Sequence, residues 1–256
     1  MAYTDVNGVS DPLDTMGQHQ LVYNLAMITL HNLVIGYKGQ GIDVPLNGRF
    51  TIGSMTAIVG NNGAGKSTLL KTLAGLLPPI KGTLSFEITG RPRIGYLPQQ
   101  IEIDRQFPLT VFDVVAMGCW PSSGLLHRIN HVQQIAIWHA LKSVGLEEFS
   151  NYTISTLSVG QFQRMLFARI LVQKAPLILL DEPFSCIDKT SCNLLMTVIK
   201  QLHCQKHTII VVLHDKLVAQ NFPQMLWLTP EQPTWGPSTR VLAQWSRTCC
   251  SLVNSN

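Results

Sequence analysis

The chain has 256 residues, of which 46% are hydrophobic and only 13% charged, and its formal net charge is +4 at neutral pH. This length suits one large α/β domain, or two tightly joined ones, with a full core. The weak charge and the lack of any Lys/Arg block argue against a nucleic-acid binder, and the longest apolar runs, Leu177-Ile178-Leu179-Leu180 and Ile209-Ile210-Val211-Val212-Leu213, are far too short to span a bilayer.

Residues 1–26 are polar, with turn formers at Asn7-Gly8 and Asp11-Pro12. They are expected to form a loosely ordered extension, and no basic start followed by an apolar core marks a secretory signal. Organised sequence begins at Met27, itself a candidate start, in an apolar run that predicts a strand up to Tyr37. By position alone Tyr37 is either a base-stacking ring or an ordinary strand aromatic.

A second short strand, Met55-Thr56-Ala57-Ile58-Val59, leads into Gly60-Asn61-Asn62-Gly63-Ala64-Gly65-Lys66-Ser67-Thr68, and a helix opens behind it. This is the phosphate loop G-x-x-x-x-G-K-[ST], in its proper strand–loop–helix setting. Glycines let successive backbone N–H groups turn toward phosphate oxygens, and the helix N-terminus adds its positive end. Lys66 is expected on the β- and γ-phosphates and the Ser67 hydroxyl on Mg²⁺, so the chain is expected to bind a nucleoside triphosphate.

Residues 84–96 predict short strands broken by Gly90-Arg91-Pro92, and Gly95-Tyr96-Leu97-Pro98-Gln99-Gln100 ends an apolar run in a polar turn. Thr110-Val111-Phe112-Asp113 has capping-box form, so a helix starts at Val111. Residues 110–156 are expected to be mostly helical, an insertion between the halves of the α/β core. Ser158-Val159-Gly160-Gln161 is another capping box, opening a helix to about Gln173 whose Phe162, Met165, Leu166 and Ile170 form a buried stripe. Pro176 then precedes Leu177-Ile178-Leu179-Leu180-Asp181-Glu182, a buried parallel strand ending in two acids at the edge where ligands bind in open α/β sheets. Asp181 is expected to hold Mg²⁺ and Glu182 to orient the attacking water. A further apolar strand, 208–213, ends at His214-Asp215, and residues 231–256 are expected to be a short tail.

Six cysteines (119, 186, 192, 204, 249 and 250) show no C-x-x-C spacing, as expected for unpaired thiols in a reducing compartment. His203, Cys204 and His207, and separately His127 and His131, have spacings that can hold a metal, but a surface role is the simpler expectation.

Together these stretches resemble the nucleotide-binding subunit of an ATP-binding-cassette (ABC) transporter, over about residues 28–230. The most specific part is Leu157-Ser158-Val159-Gly160-Gln161, similar to the family signature L-S-G-G-Q. The resemblance implies an α/β phosphate-loop ATPase core with an inserted helical subdomain (about 100–157) and an antiparallel β subdomain. It implies ATP and Mg²⁺ at residues 60–68, Tyr37 on the adenine, and Gln99 sensing γ-phosphate and Mg²⁺. Glu182 matches the catalytic base, Ser185-Cys186-Ile187-Asp188 the loop after it, and His214 the switch histidine. Two copies would close head to tail, with each ATP between one phosphate loop and the partner's Ser158, Gly160 and Gln161. Val159 departs from the signature glycine.

Within the family, Tyr96-Leu97-Pro98-Gln99 and residues 103–115 look like the zinc, manganese and iron importers. That implies a peripheral ATPase on the cytoplasmic face of the inner membrane, bound to integral-membrane permease subunits and served indirectly by a metal-binding protein. Zinc is the cargo expected first, with manganese or iron next. The alternatives are an importer of iron chelates or haem and a soluble, non-transport cassette.

Overall fold

A computed structural model describes residues 26–37, 40–41, 44–87, 90–99, 103–123, 128–229 and 232–253. The first 25 residues, His127, and the polar-extension expectation therefore lie outside the described residues. Strand β1 (Ala26–Val34) starts one residue before the expected position, and a two-residue pair, β2 (Gly36–Tyr37) and β3 (Gln40–Gly41), follows it. Strands β4 (Leu46–Thr51) and β6 (Lys81–Phe86) flank β1 in an antiparallel sheet of order β4-β1-β6.

The main sheet is built from β5 (Met55–Gly60), β7 (Ile94–Leu97), β8 (Leu177–Asp181), β9 (Thr208–Val212), β10 (Gln224–Leu228) and β11 (Thr234–Pro237). Its order is β11-β10-β5-β9-β8-β7, parallel throughout except for the antiparallel β10–β11 pair. Every residue of β5, β8 and β9 is buried, which is why these strands read as unbroken apolar runs rather than alternating ones. Alternate side chains still go to opposite faces. Ala57, Val59, Ile178, Leu180, Ile209 and Val211 join the core beneath the helical insertion. Ile58, Leu177, Leu179, Ile210 and Val212 join a second core with helix α1 (Lys66–Leu73) and the antiparallel sheet.

The insertion holds α2 (Val111–Ala116), α3 (Trp120–Ser123) and α4 (His131–Ser143), with 3₁₀ turns at Met117–Cys119 and Ile154–Thr156. Thr110 caps α2 through a complete capping box with Asp113, as its sequence predicts. Helix α5 (Val159–Val172) carries the second predicted capping box and packs against α2, α4 and α6 (Lys189–Cys204). A short α7 (Lys216–Ala219) precedes β10.

Residues 231–256, expected as a tail, instead supply β11 and the helix α8 (Ser238–Val253). Strand β11 extends the main sheet beyond β10, and Val241 and Trp245 of α8 are buried in the core. Trp235 meets Phe50 edge-on at 4.9 Å, tying this C-terminal piece to the antiparallel sheet.

Candidate functional site

Strand β5 delivers the chain to the phosphate loop at Gly60, whose φ of 152° no L-residue adopts readily. Gly63 and Gly65 follow with φ of 80° and 85°, so the backbone turns three times within six residues. No side chain caps the first turn of α1, which leaves its N–H groups for a ligand. Lys66 is buried and its Nζ donates to the carbonyls of Gly60 (2.9 Å) and Asn61 (3.0 Å). Burial holds its pKa below the ordinary lysine value, partly offset by the charges of Glu182 and Asp181.

The acids at the end of β8 reach the same place. Ser67 Oγ donates to Asp181 Oδ1 at 3.0 Å, and burial pushes the Asp181 carboxyl above the ordinary carboxylate range while the Ser67 hydrogen bond opposes that. Glu182 takes a left-handed φ of 50°, and its backbone N–H donates to the carbonyl of Val212 on β9. That turn throws its carboxylate toward the loop. Gln99 Nε2 (2.9 Å) and Ser185 Oγ (3.0 Å) both donate to Oε2, and His214 Nδ1 lies 3.3 Å from Oε1.

Gln99, Glu182 and His214 face one cavity of about 520 Å³, together with Asn62, Gly63, Gly65, Lys66, Ser67 and Thr68, and Asp181 joins it through Ser67. Phosphate-binding loop, hydroxyl, acids, glutamine and histidine, spread over more than 150 residues of sequence, are thus assembled by β5, β7, β8 and β9. The Ser67 hydroxyl, the Asp181 carboxylate and the Gln99 amide are hard oxygen donors, the set that suits Mg²⁺. The buried Tyr96 hydroxyl has no partner among the described residues; burial, then Asp181 and Tyr37, raise its pKa to about 12.

The remaining predicted residues lie elsewhere. Tyr37 is half exposed beside α1, its hydroxyl accepting from Lys71 Nζ at 3.2 Å. Ser158, Gly160 and Gln161 do not line the cavity. Ser158 caps α5, accepting from the Gln161 N–H at 3.2 Å, while Gln161 Oε1 accepts from the Ser158 N–H at 2.9 Å. Val159 stands exposed next to them. Asp188 is likewise outside the cavity; it caps α6 by accepting from the Ser191 N–H (3.0 Å), and hydrogen bonding to the Ser191 hydroxyl first, then to that N–H, holds its carboxyl below the ordinary range. A Cβ on Gly160 would sit 3.0 Å from both Asp188 Oδ1 and Ser191 Oγ, so this glycine lets α5 pack on the cap of α6.

Sequence reasoning places Ser185 only in the loop after Glu182; its hydroxyl contact with that carboxylate, and the contact of Lys71 with Tyr37, emerge from the structure. Among the described residues no cluster of three or more metal-ligating groups occurs, and His207 Nδ1 is 2.8 Å from the carbonyl of Ala175. Cys186, Cys192 and Cys204 are unpaired thiols, as expected.

The sequence profile described as "ABC transporter" matches residues 45–185. The manganese transport system ATP-binding protein MntB of Listeria innocua is 39% identical over 222 residues, covering 85% of this chain and 92% of that protein. The zinc transport system ATP-binding protein TroB of Treponema pallidum is 38% identical over 208 residues, covering 78% of this chain and 77% of that protein. Among solved structures, the dimeric bacterial ABC transporter cassette MJ0796 superposes with a TM-score of 0.70 at 25% identity, covering 82% of this chain and 98% of the cassette.

Proposed function

We propose that this chain, which belongs to the ABC transporter family and hydrolyses ATP, powers import of a transition-metal ion through membrane permease subunits. The observation that carries the catalytic reading is the convergence of Lys66, Ser67, Gln99, Glu182 and His214 on one cavity, with Asp181 hydrogen-bonded to Ser67. The cargo class is supported by the relatives named for manganese and zinc transport, and the two names leave zinc and manganese as equal candidates. No helix among the described residues is long and apolar enough to cross a membrane, which accords with docking on a permease. Exposed Phe107, Trp120 and Trp138 on the helical insertion offer the apolar surface for that docking.

In this reading the N-terminal amides of α1 and Lys66 hold the β- and γ-phosphates, and Lys66 exchanges the Gly60 and Asn61 carbonyls for phosphate oxygens. Ser67, Asp181 and Gln99 would hold Mg²⁺, which would supply positive charge to offset that of the phosphates. Glu182 takes a proton from water as the water oxygen attacks the γ-phosphorus; the bond to the β–γ bridging oxygen breaks, leaving ADP and phosphate. His214 bridges Glu182 and the γ-phosphate. Tyr37, exposed beside α1, is free to stack on adenine. Ser158, Gly160 and Gln161, remote from their own chain's cavity, serve the ATP of a second copy, so that ATP joins two subunits head to tail. The dimeric state of a solved relative supports this arrangement.

The test is size-exclusion chromatography of Glu182→Gln with ATP and Mg²⁺. A stable dimer that dissociates when nucleotide is withdrawn is expected. A variant that binds ATP and stays monomeric contradicts the head-to-tail mechanism.

A further inference from the structure

We propose that Ser185 is a positioning residue for ATP hydrolysis, its hydroxyl orienting the Glu182 carboxylate so that Oε1 accepts the proton of the attacking water. The inference rests on Glu182 being the base. A carboxylate oxygen offers two in-plane lone pairs. Those of Glu182 Oε2 are both taken, by Gln99 Nε2 at 2.9 Å and Ser185 Oγ at 3.0 Å. Among the described residues Oε1 faces only His214 Nδ1, at 3.3 Å, and keeps a lone pair for water.

The two donors on Oε2 differ in kind. Gln99 comes from beyond β7 and is also the residue read as a Mg²⁺ ligand through its amide oxygen, so its position answers to the metal as well as to Glu182. Ser185 belongs to the same tight turn as the base: its backbone N–H donates to the Glu182 carbonyl at 3.1 Å while its hydroxyl meets the carboxylate. Main chain and side chain of one residue thus clamp both ends of Glu182. Glu182-Pro183-Phe184-Ser185 forms a β-turn closed by that backbone bond, with Pro183 at the position its fixed φ suits, and it brings residue 185 back over the acid. During the reaction the proton moves from water to Oε1, the water oxygen bonds to the γ-phosphorus, and the bridging P–O bond breaks. Ser185 keeps its own proton throughout and only fixes which oxygen faces the water. A carboxylate free to rotate would divide its time between productive and unproductive orientations, which lowers turnover without touching nucleotide binding.

The experiment compares steady-state ATPase kinetics of Ser185→Ala, Ser185→Thr, Ser185→Val and Glu182→Gln, with ATP affinity measured alongside. Threonine and valine have nearly the same shape and differ by the hydroxyl, so this pair separates the hydrogen bond from packing. Ser185→Ala and Ser185→Val are expected to lose about tenfold in kcat with KM within about twofold of wild type, and Ser185→Thr to recover most of that loss. Equal rates for the threonine and valine variants overturn the proposal, as does a rise in KM with kcat unchanged. Wild-type turnover in Glu182→Gln refutes the underlying reading of the base instead. An inactive Glu182→Gln beside a fully active Ser185→Ala refutes the role of Ser185 alone.

Discussion

Gly60 and Gly63 belong to the same nucleotide loop, yet the structure predicts very different costs for giving each a side chain. At Gly60 a Cβ would lie 2.5 Å from the main-chain carbonyl oxygen of Leu228, the residue paired with Gly60 across β5 and β10. Neither partner can move without disturbing two central strands. Its φ of 152° adds backbone strain. Overpacking against a rigid backbone costs about 1–3 kcal/mol, and the forced conformation a similar amount, so Gly60→Ala should destabilise the protein by about 2–6 kcal/mol. At Gly63 a Cβ would meet nothing within 4 Å. Only the left-handed φ of 80° counts, at roughly 1 kcal/mol. Each kcal/mol moves the Tm of a chain this size by roughly 2–4 °C. Thermal unfolding without nucleotide should then show Gly60→Ala melting about 4–24 °C below wild type, and in any case further below it than Gly63→Ala, which should lie only about 2–4 °C below it. Equal shifts for the two variants would refute the claim that the first glycine is dictated by the strand pairing rather than by the ligand.

Lys66→Met keeps the buried aliphatic stem and removes the ammonium; ATP affinity is expected to fall about a hundredfold, measured by titration of a fluorescent ATP analogue, and an unchanged Kd would remove Lys66 from the phosphates. Asp181 gives a pH prediction. Its folded-state pKa is raised by burial, so the native state holds that proton more tightly than the unfolded chain does. The resulting stability is full below the ordinary carboxylate value and is lost as pH rises through the raised one. Asp181→Asn should therefore melt higher than wild type at pH 7 without nucleotide, with the difference shrinking toward acid pH. A variant less stable than wild type at pH 7 contradicts that sign.

Much of the core site is written locally. The apolar run ending at Gly60, the hydroxyl after Lys66 and the acids closing β8 are short-range patterns whose physics needs no tertiary information. The capping boxes at Thr110 and Ser158 are equally local, and both form as their residues predict. What the chain hides depends on distant partners or on backbone geometry. Strand β11 is Thr234-Trp235-Gly236-Pro237, poor strand material by composition, and it forms because β10 offers an edge and Trp235 packs on Phe50. The clamp of Ser185 on Glu182 depends on how the turn over residues 182–185 returns the hydroxyl to the carboxylate, which residue types alone do not reveal. Gly160 matches a family signature by position, but its packing on Asp188 and Ser191 emerges only when α5 and α6 meet.

The most direct test of the central claim, that ATP turnover here drives metal import, is elemental mass spectrometry of whole cells under metal limitation, with and without the gene. A selective fall in zinc or manganese, restored by the wild-type chain but not by Glu182→Gln, is the predicted result. Unchanged content of zinc, manganese and iron would contradict metal import and leave an ATPase that serves chelate uptake or a function other than transport.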